Sequence, residues 1–549
     1  MTAGRHLPSD LSMHIRTLLH MIIVAIFLGT VVAGRAHPVA RADETSADAF
    51  FAGDHISRIE IRLAEGAADR LRDDPRSYVP CTLTIDADAV FEDVAIKLKG
   101  SAGSFQGLDE KPGFTVNIDR FRPGARFHGL DKFHLNNAAQ DPSFLAEWLG
   151  AHLFLEAGVP AARVTHARVL LDDRDLGLYV FKEAIDRDFL QRHFNDSSGN
   201  LYDGGTGVDL DELVERDEGK NGVPGADLKA LVAACRLVDP AQRQAAISER
   251  LDVDAFVTFM ALELMAGHWD GSTIGHNNYR IYVDPADGDR IRFLPHGMDQ
   301  IFGDPGAPIL DRPPTIVAAA VMGVPEWRGA YRDRLRELLP LFAAEGAILP
   351  RLDSVAERIR PAVAATGREA LEAWEGAWGE LRDRIVAREA HLREQAEAPE
   401  PEPIQFDGAR RAGLAGWTPR TDAGEATHDE TAGDDGRRVL RIAVVGETPA
   451  IASWRVAVPL PAGRYRFEGL AYGEGIEATA DDTGSGAGLR ISGGQRRQAV
   501  DRAGEWTPLG YEFALESAAT VELVAELRAS AGQVSFNAES LVLVRLSEP

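Results

Sequence analysis

The stretch Gly267-His-Trp-Asp-Gly-Ser-Thr-Ile-Gly-His-Asn-Asn-Tyr-Arg-Ile-Tyr282 decides the reading of this chain, together with Ile291-Arg-Phe-Leu-Pro-His-Gly-Met-Asp-Gln-Ile-Phe-Gly303 beyond a turn at Asp284–Gly288. Taken locally it is a helix end, a polar loop bearing Asp270, adjacent amides Asn277 and Asn278, a β-hairpin, and then Asp299. A hairpin returns its two ends to one place, so two carboxylates and an amide would meet there. Hard divalent cations prefer such oxygen donors. Spacing alone leaves a second reading open, since Asp and Asn also populate turns and caps for local reasons.

Upstream, Ile59–Leu63, Cys81–Ile85, Val94–Leu98, Phe114–Ile118 and Phe133–Leu135 alternate apolar and polar residues as strands do. Helical spacing over Ser143–Leu155 follows, closed by Gly158-Val-Pro160. Strands Val164–Leu171 and Gly177–Phe181 come next. This order resembles a small nucleotide-binding lobe. Downstream the spacing predicts helices over Asp252–Met265, Trp327–Leu341, Pro350–Ile359 and Ala364–Glu397. The last, rich in Glu and Arg, either packs within the helical lobe or offers a face to a partner.

Short strands separated by Gly, Asp and Pro turns return after residue 403, from Val439–Val445 to Gln533–Arg545. They predict a jelly-roll-like β-sandwich, a fold that many secreted proteins use to bind carbohydrate and that serves equally for docking or structure.

A chain of 549 residues exceeds one hydrophobic core. With 45% hydrophobic and 26% charged residues it is an ordinary globular composition. The net charge of −26 excludes general binding to nucleic-acid phosphates and leaves solubility, or a preference for basic protein substrates, as its meaning. His14, Arg16 and His20 precede an apolar run from Met21 to Gly34, with small residues near Ala40. The run is short for a membrane span and predicts a signal peptide over 1–42, hence a periplasmic, cell-surface or extracellular protein with no stable membrane span. Cys81 and Cys235 allow one bridge or two unrelated buried thiols.

The order acid, amide before a strand, and acid close to Phe-Gly is how protein kinases set out a catalytic-loop Asp, a metal-binding Asn and a second metal-binding Asp. More specifically the chain resembles the CotH kinase family, whose hallmarks appear as His268-Trp-Asp-Gly271, Asn278-Tyr-Arg-Ile-Tyr282 and Leu294-Pro-His-Gly-Met-Asp-Gln-Ile-Phe-Gly303. Upstream, Ile96-Lys-Leu-Lys-Gly-Ser101, Lys111-Pro-Gly-Phe114, Phe127-His-Gly-Leu130, Leu135-Asn-Asn137, Asp141-Pro-Ser-Phe144 and Gly177-Leu-Tyr-Val180 match in order, so the likeness runs over roughly residues 55–395. It implies an α+β fold: a bilobal protein-kinase-like domain over 50–398, with a β-rich lobe to about 185 and a helical lobe from 186. A linker at 399–403 and an all-β sandwich over 404–549 would follow.

The same resemblance implies ATP and Mg²⁺ or Mn²⁺, with Asp270 as the catalytic acid, Asn278, Asn277 and Asp299 as metal ligands, and Lys99 or Lys111 on the phosphates. Lys97 in Val94-Ala-Ile-Lys97 shares its strand face with Lys99 and copies a kinase motif superficially; each of the three lysines could also be solvated. Glu147 would pair with the chosen lysine, Gly100–Ser104 would lie over phosphates, and Glu183 would fall where kinases hold adenine. Many members carry an acid where this chain has Gly297, which implies a weaker or differently built cation site. The function implied is transfer of the ATP γ-phosphoryl group to Ser or Thr of exported proteins. A non-catalytic surface or carbohydrate-binding protein, and a kinase-like transferase of another group such as AMP, are the alternatives.

Overall fold

The computed structural model describes residues 42–547 except 213–214, 238, 312, 400–403, 433–436, 447, 478–484, 497, 501–503 and 516–518. The expected signal peptide and most of the expected linker lie outside the described residues.

Seven strands close into a barrel: β1 (Ser57–Leu63), β2 (Val79–Ile85), β3 (Ala89–Lys99), β4 (Gly113–Asn117), β5 (Lys132–Asn136), β6 (Val164–Leu171) and β7 (Arg174–Glu183). Their order is β1-β2-β3-β4-β5-β7-β6, with β6 returning parallel to β1. Closure removes the unpaired edges that an open sheet would expose. Alternation works on both sides of β7. Tyr179 and Phe181 enter the barrel core with Phe114 and Phe133, whereas Leu178 and Val180 join the core beneath the helix Ala146–Glu156.

That second core also takes in helices Val253–Ala266, Pro325–Leu338, Leu349–Ala364 and Arg368–Glu397, and a sheet ordered β11-β10-β8-β9. Its strands are β8 (Leu201–Asp203), β9 (Arg216–Glu218), β10 (Tyr279–Asp284) and β11 (Arg290–Pro295). The helix Val253–Ala266 is buried from Phe256 to Ala266, which its nearly unbroken apolar sequence requires.

Several expected boundaries move for local reasons. The helix expected from Ser143 starts at Ala146, because Phe144 adopts φ 63° and Asp141 caps the backbone N–H of Ala146 at 2.8 Å. The run expected from Ala364 to Glu397 is interrupted at Gly367, whose φ of 131° ends one helix before Arg368 begins the next. Helices Ala42–Ala52, Ala67–Asp73 and Arg187–His193 were not anticipated.

The C-terminal region is all-β, with β12 (Arg411–Gly413), β13 (Thr418–Ala423), β14 (Ala426–Ala432), β15 (Arg438–Val444), β16 (Ala450–Leu460), β17 (Gly463–Glu477), β18 (Gly486–Ile491), β19 (Thr507–Leu515), β20 (Ala519–Ala529), β21 (Ala531–Asn537) and β22 (Val542–Ser547). One sheet runs β12-β22-β17-β21-β15-β14 with β19 on β17; the other runs β13-β16-β20-β18. Trp454, Phe467, Leu523 and Phe536 lie in the core between them. The expected single strand Gln533–Arg545 is two, β21 and β22, separated by a turn. Cys81 and Cys235 are both free and buried, in different cores, so of the two readings the separate thiols hold. Among the described residues no helix is long and apolar enough to cross a membrane.

Candidate active site

The loop bearing Asp270 is folded by a residue on the helix before it. Glu263, fully buried, accepts the backbone N–H of Ser272 at 3.0 Å, that of Thr273 at 2.8 Å and the Thr273 hydroxyl at 2.5 Å. His268 lies between Glu263, 3.4 Å from Nδ1, and the carbonyl of Gly297, 3.1 Å from Nε2. Burial works against the imidazolium, but Glu263 and that carbonyl more than offset it and hold the His268 pKa above its usual value. Gly271 has to be glycine, since a Cβ would stand 2.4 Å from Glu263 Oε1. Replacing Glu263 by Ala would strand three buried donors. We expect a loss on the order of 3 kcal/mol in urea unfolding, with impaired ordering of the Asp270 loop.

Asp270 Oδ2 accepts from Asn277 Nδ2 at 3.0 Å and Asn278 Nδ2 at 2.8 Å, so these three expected site residues do meet. Asn278, at φ 51°, enters β10 with its amide against Gly297; a Cβ on Gly297 would lie 2.4 Å from Asn278 Oδ1. Glycine at 297 is therefore the counterpart of the Asn278 position, and an acid there would have to displace the amide.

Asp299 follows the end of β11 at Pro295 and lies within electrostatic reach of Glu147, Lys99 and Lys182. Burial raises its pKa, as does the charge of Glu147, while Lys99 and Lys182 oppose the rise. Glu147, on the first turn of its helix, receives the Lys182 ammonium at 2.5 Å, and both side chains are almost completely buried. Burial opposes ionisation of Glu147, yet Lys182 and then Lys99 bring its pKa below the ordinary value.

The partner expected for Glu147 was Lys97, Lys99 or Lys111, and the structure corrects this to Lys182. Lys99 is close enough to be felt by Glu147 and Asp299, but its ammonium donates to Asn136 Oδ1. Burial, then the charge of Lys182, lowers its pKa to about 8. Lys111 is turned onto the rings of Phe144 and Tyr179, 4.8 and 5.0 Å away, and Lys97 onto that of Tyr78, 4.9 Å away. Glu183 is likewise no free ligand. Arg163 grips it at 2.7 Å, and Arg192 pairs with it as well.

Lys182 was missed as a site residue although a signal existed: it shares a strand face with the buried Leu178 and Val180, where a lysine needs an acid. Glu263 carried the same signal, as the one charge in the apolar run Phe256–Ala266, whereas Arg388, on a helix rich in Glu and Arg, carried none. Arg388, fully buried, donates to the carbonyls of Leu264, Met265, Pro305 and Ala307, and so fixes the helix end that precedes Asp270.

Two further imidazoles, the half-buried His134 and His296, lie near Lys99, Lys182 and Arg280; desolvation and then neighbouring cations, Lys132 among them for His134, keep both pKa values well below normal. The Gly100–Ser104 loop reaches the same place, because Gly103 abuts Gln140, whose Nε2 donates to Gln300 at 3.2 Å. A cleft of about 300 Å³ opens beside Asp299, lined by Gln140, Ser143, Trp269, Gln300 and Arg384. Among the described residues no three acidic, His or Cys side chains form a metal-binding group.

The family model for CotH kinase protein matches residues 96–392, more than half of the chain and the whole of this constellation. The chain belongs to the CotH kinase protein family. Among its CotH relatives, inner spore coat protein H of Bacillus subtilis is 24% identical over 321 residues, 55% of this chain and 84% of that protein. Invasin CotH2 of Rhizopus delemar is 24% identical over 257 residues, covering 43% of this chain and 42% of the invasin, so the match spans less than half of that relative. Among solved structures, TmCBM61 in complex with β-1,4-galactotriose has a TM-score of 0.18 at 16% identity, covering 24% of this chain and 90% of its own.

Proposed function

We propose that this CotH-family chain is an ATP-dependent phosphotransferase with a bilobal, protein-kinase-like catalytic region over about 50–398, acting on hydroxyl side chains of exported proteins. The observation that carries the reading is the buried Lys182–Glu147 ion pair within electrostatic reach of Asp299 and Lys99, one hairpin from Asp270 and Asn278. Kinases need a lysine fixed by a glutamate, a metal-holding acid, a metal-holding amide and a base, and each role has a residue here.

The donor set fits a divalent cation. Asp299 is a half-buried carboxylate whose ionised form is opposed by desolvation and then by Glu147, so it gains from a cation beside it. Mg²⁺ usually takes only one or two carboxylates and completes its shell with phosphate oxygens and water. Asp299 and Asn278 would hold it, and when bound it would supply positive charge to neutralise the phosphates of ATP.

The chain's own residues do the remainder. Lys182, oriented by Glu147, and Lys99, held by Asn136, present two ammonium groups to the phosphates. The amides of Asn277 and Asn278 occupy Oδ2 of Asp270, leaving Oδ1 to orient the acceptor hydroxyl and take its proton. The acceptor oxygen then bonds to the γ-phosphorus as the bond to the bridging oxygen breaks, and ADP departs. Positioning and charge compensation suffice for such a transition state. The names of the relatives, a spore coat protein and an invasin, support an exported or surface location.

Calorimetric titration of ATP into the full chain tests this. Binding is expected with Mg²⁺ or Mn²⁺ and not with EDTA; metal-independent binding or none would count against it. The Lys99 ammonium also sets a pH dependence. It is charged below about 8 and lost above it, so ATP affinity should fall as pH rises through that value, and the fall should be absent in Lys99→Met.

A further inference from the structure

The outer face of the sheet β13-β16-β20-β18 is a second concentration of charge. Alternation turns Trp454, Leu489 and Leu523 inward and Arg455, Arg490, Glu522, Glu526 and Arg528 outward, yet several outward residues are buried. Arg455 is saturated: it donates to Ser453 Oγ at 2.9 Å, Glu522 at 2.9 Å and Asp422 at 2.6 Å.

Glu526 is different. It is 1% exposed and has three guanidiniums around it, Arg490 Nη2 at 2.8 Å, Arg496 Nε at 2.9 Å and Arg528 Nε at 3.3 Å, an excess of two positive charges. These contacts are ionic without hydrogen-bond geometry. Both oxygens of Glu526, and Arg490 Nε, Arg496 Nη2 and Arg528 Nε, have no hydrogen-bond partner among the described residues. Buried polar atoms are seldom left so. Gly488 admits Arg496, whose Cδ lies 2.6 Å from where a Cβ would stand. Arg528, with a third of its side chain exposed, forms the rim.

We propose that this arginine cluster binds an acidic polysaccharide, a sugar carboxylate or sulfate lying against Arg490, Arg496 and Arg528 and a ring hydroxyl donating to Glu526. The atoms that have ionic contacts but no hydrogen bond are of both kinds, donors on the arginines and acceptors on the glutamate, and an acidic sugar supplies both complements. A phosphate dianion brings acceptors only and meets the charge of Glu526. The site does not depend on the phosphotransferase reading.

Affinity electrophoresis of the full chain through gels containing polygalacturonate, dextran sulfate or neutral galactan tests the proposal, and retardation by the first or second tells carboxylate from sulfate. A chain of net charge −26 is repelled by polyanions in bulk, so retardation reports a specific site. Polygalacturonate or dextran sulfate is expected to retard the protein, galactan not. Arg528→Gln, at the rim and checked for an unchanged circular dichroism spectrum, is expected to weaken retardation at least fivefold, and Arg496→Gln to abolish it. Should Arg496→Gln fail to fold, Arg528→Gln decides. Absence of retardation by both acidic polymers, equal retardation by galactan, wild-type behaviour of Arg528→Gln, or tighter binding of a phosphoserine peptide than of galacturonate would each overturn it.

Discussion

Lys182→Met is expected to lower phosphoryl transfer by about a thousandfold and to destabilise the chain by roughly 3–5 kcal/mol. The two effects have separate causes. Removing the ammonium leaves Glu147 ionised and almost fully buried with its nearest counter-charge gone, and an uncompensated buried charge is the costly outcome. Activity is expected to fall because one of the two ammonium groups proposed to face the phosphates is lost. The double variant Lys182→Met/Glu147→Leu separates these: replacing both charges with apolar side chains should recover most of the stability, measured by urea unfolding, and none of the activity. Recovery of activity along with stability would reduce the pair to a purely structural role.

Asp299→Asn should resemble it in activity and differ in stability. Transfer is expected to drop by about a thousandfold or more, because the carboxylate proposed to hold the cation is gone. Stability should be unchanged or higher at neutral pH. Burial and Glu147 raise the Asp299 pKa in the folded chain, so its ionisation disfavours folding as pH climbs above the ordinary carboxylate range, and a neutral amide removes that penalty. A site that is destabilising in the folded protein and needed for activity is a common compromise. A melting temperature that fell sharply in Asp299→Asn would contradict this electrostatic account.

What the sequence disclosed follows from how local each feature is. Asp270, Asn277 and Asn278 lie within nine residues and are joined by side-chain hydrogen bonds, so a motif could place them together. The Lys182–Glu147 pair joins residues 35 apart on a strand and a helix. Strand periodicity gives the face of Lys182 but not the element that packs on it. Glu183 shows the limit from the other side: it reads as available, but Arg163, twenty residues earlier, fills it. The barrel strands were legible because apolar residues alternate on β1, β2 and β3. By contrast β13 is exposed along its length and β14 nearly so, and without a buried face neither leaves a period to read.

Phosphoryl transfer by the Asp299 site is the claim on which the rest of the catalytic account stands. Intact-mass analysis of the full chain and its Asp299→Asn variant, each incubated with ATP, Mg²⁺ and a casein-like acceptor, tests it most directly. The account predicts the mass of one phosphoryl group on the acceptor with the unaltered chain and none with the variant. An adenylyl mass, equal transfer by the variant, or no transfer by either would contradict it.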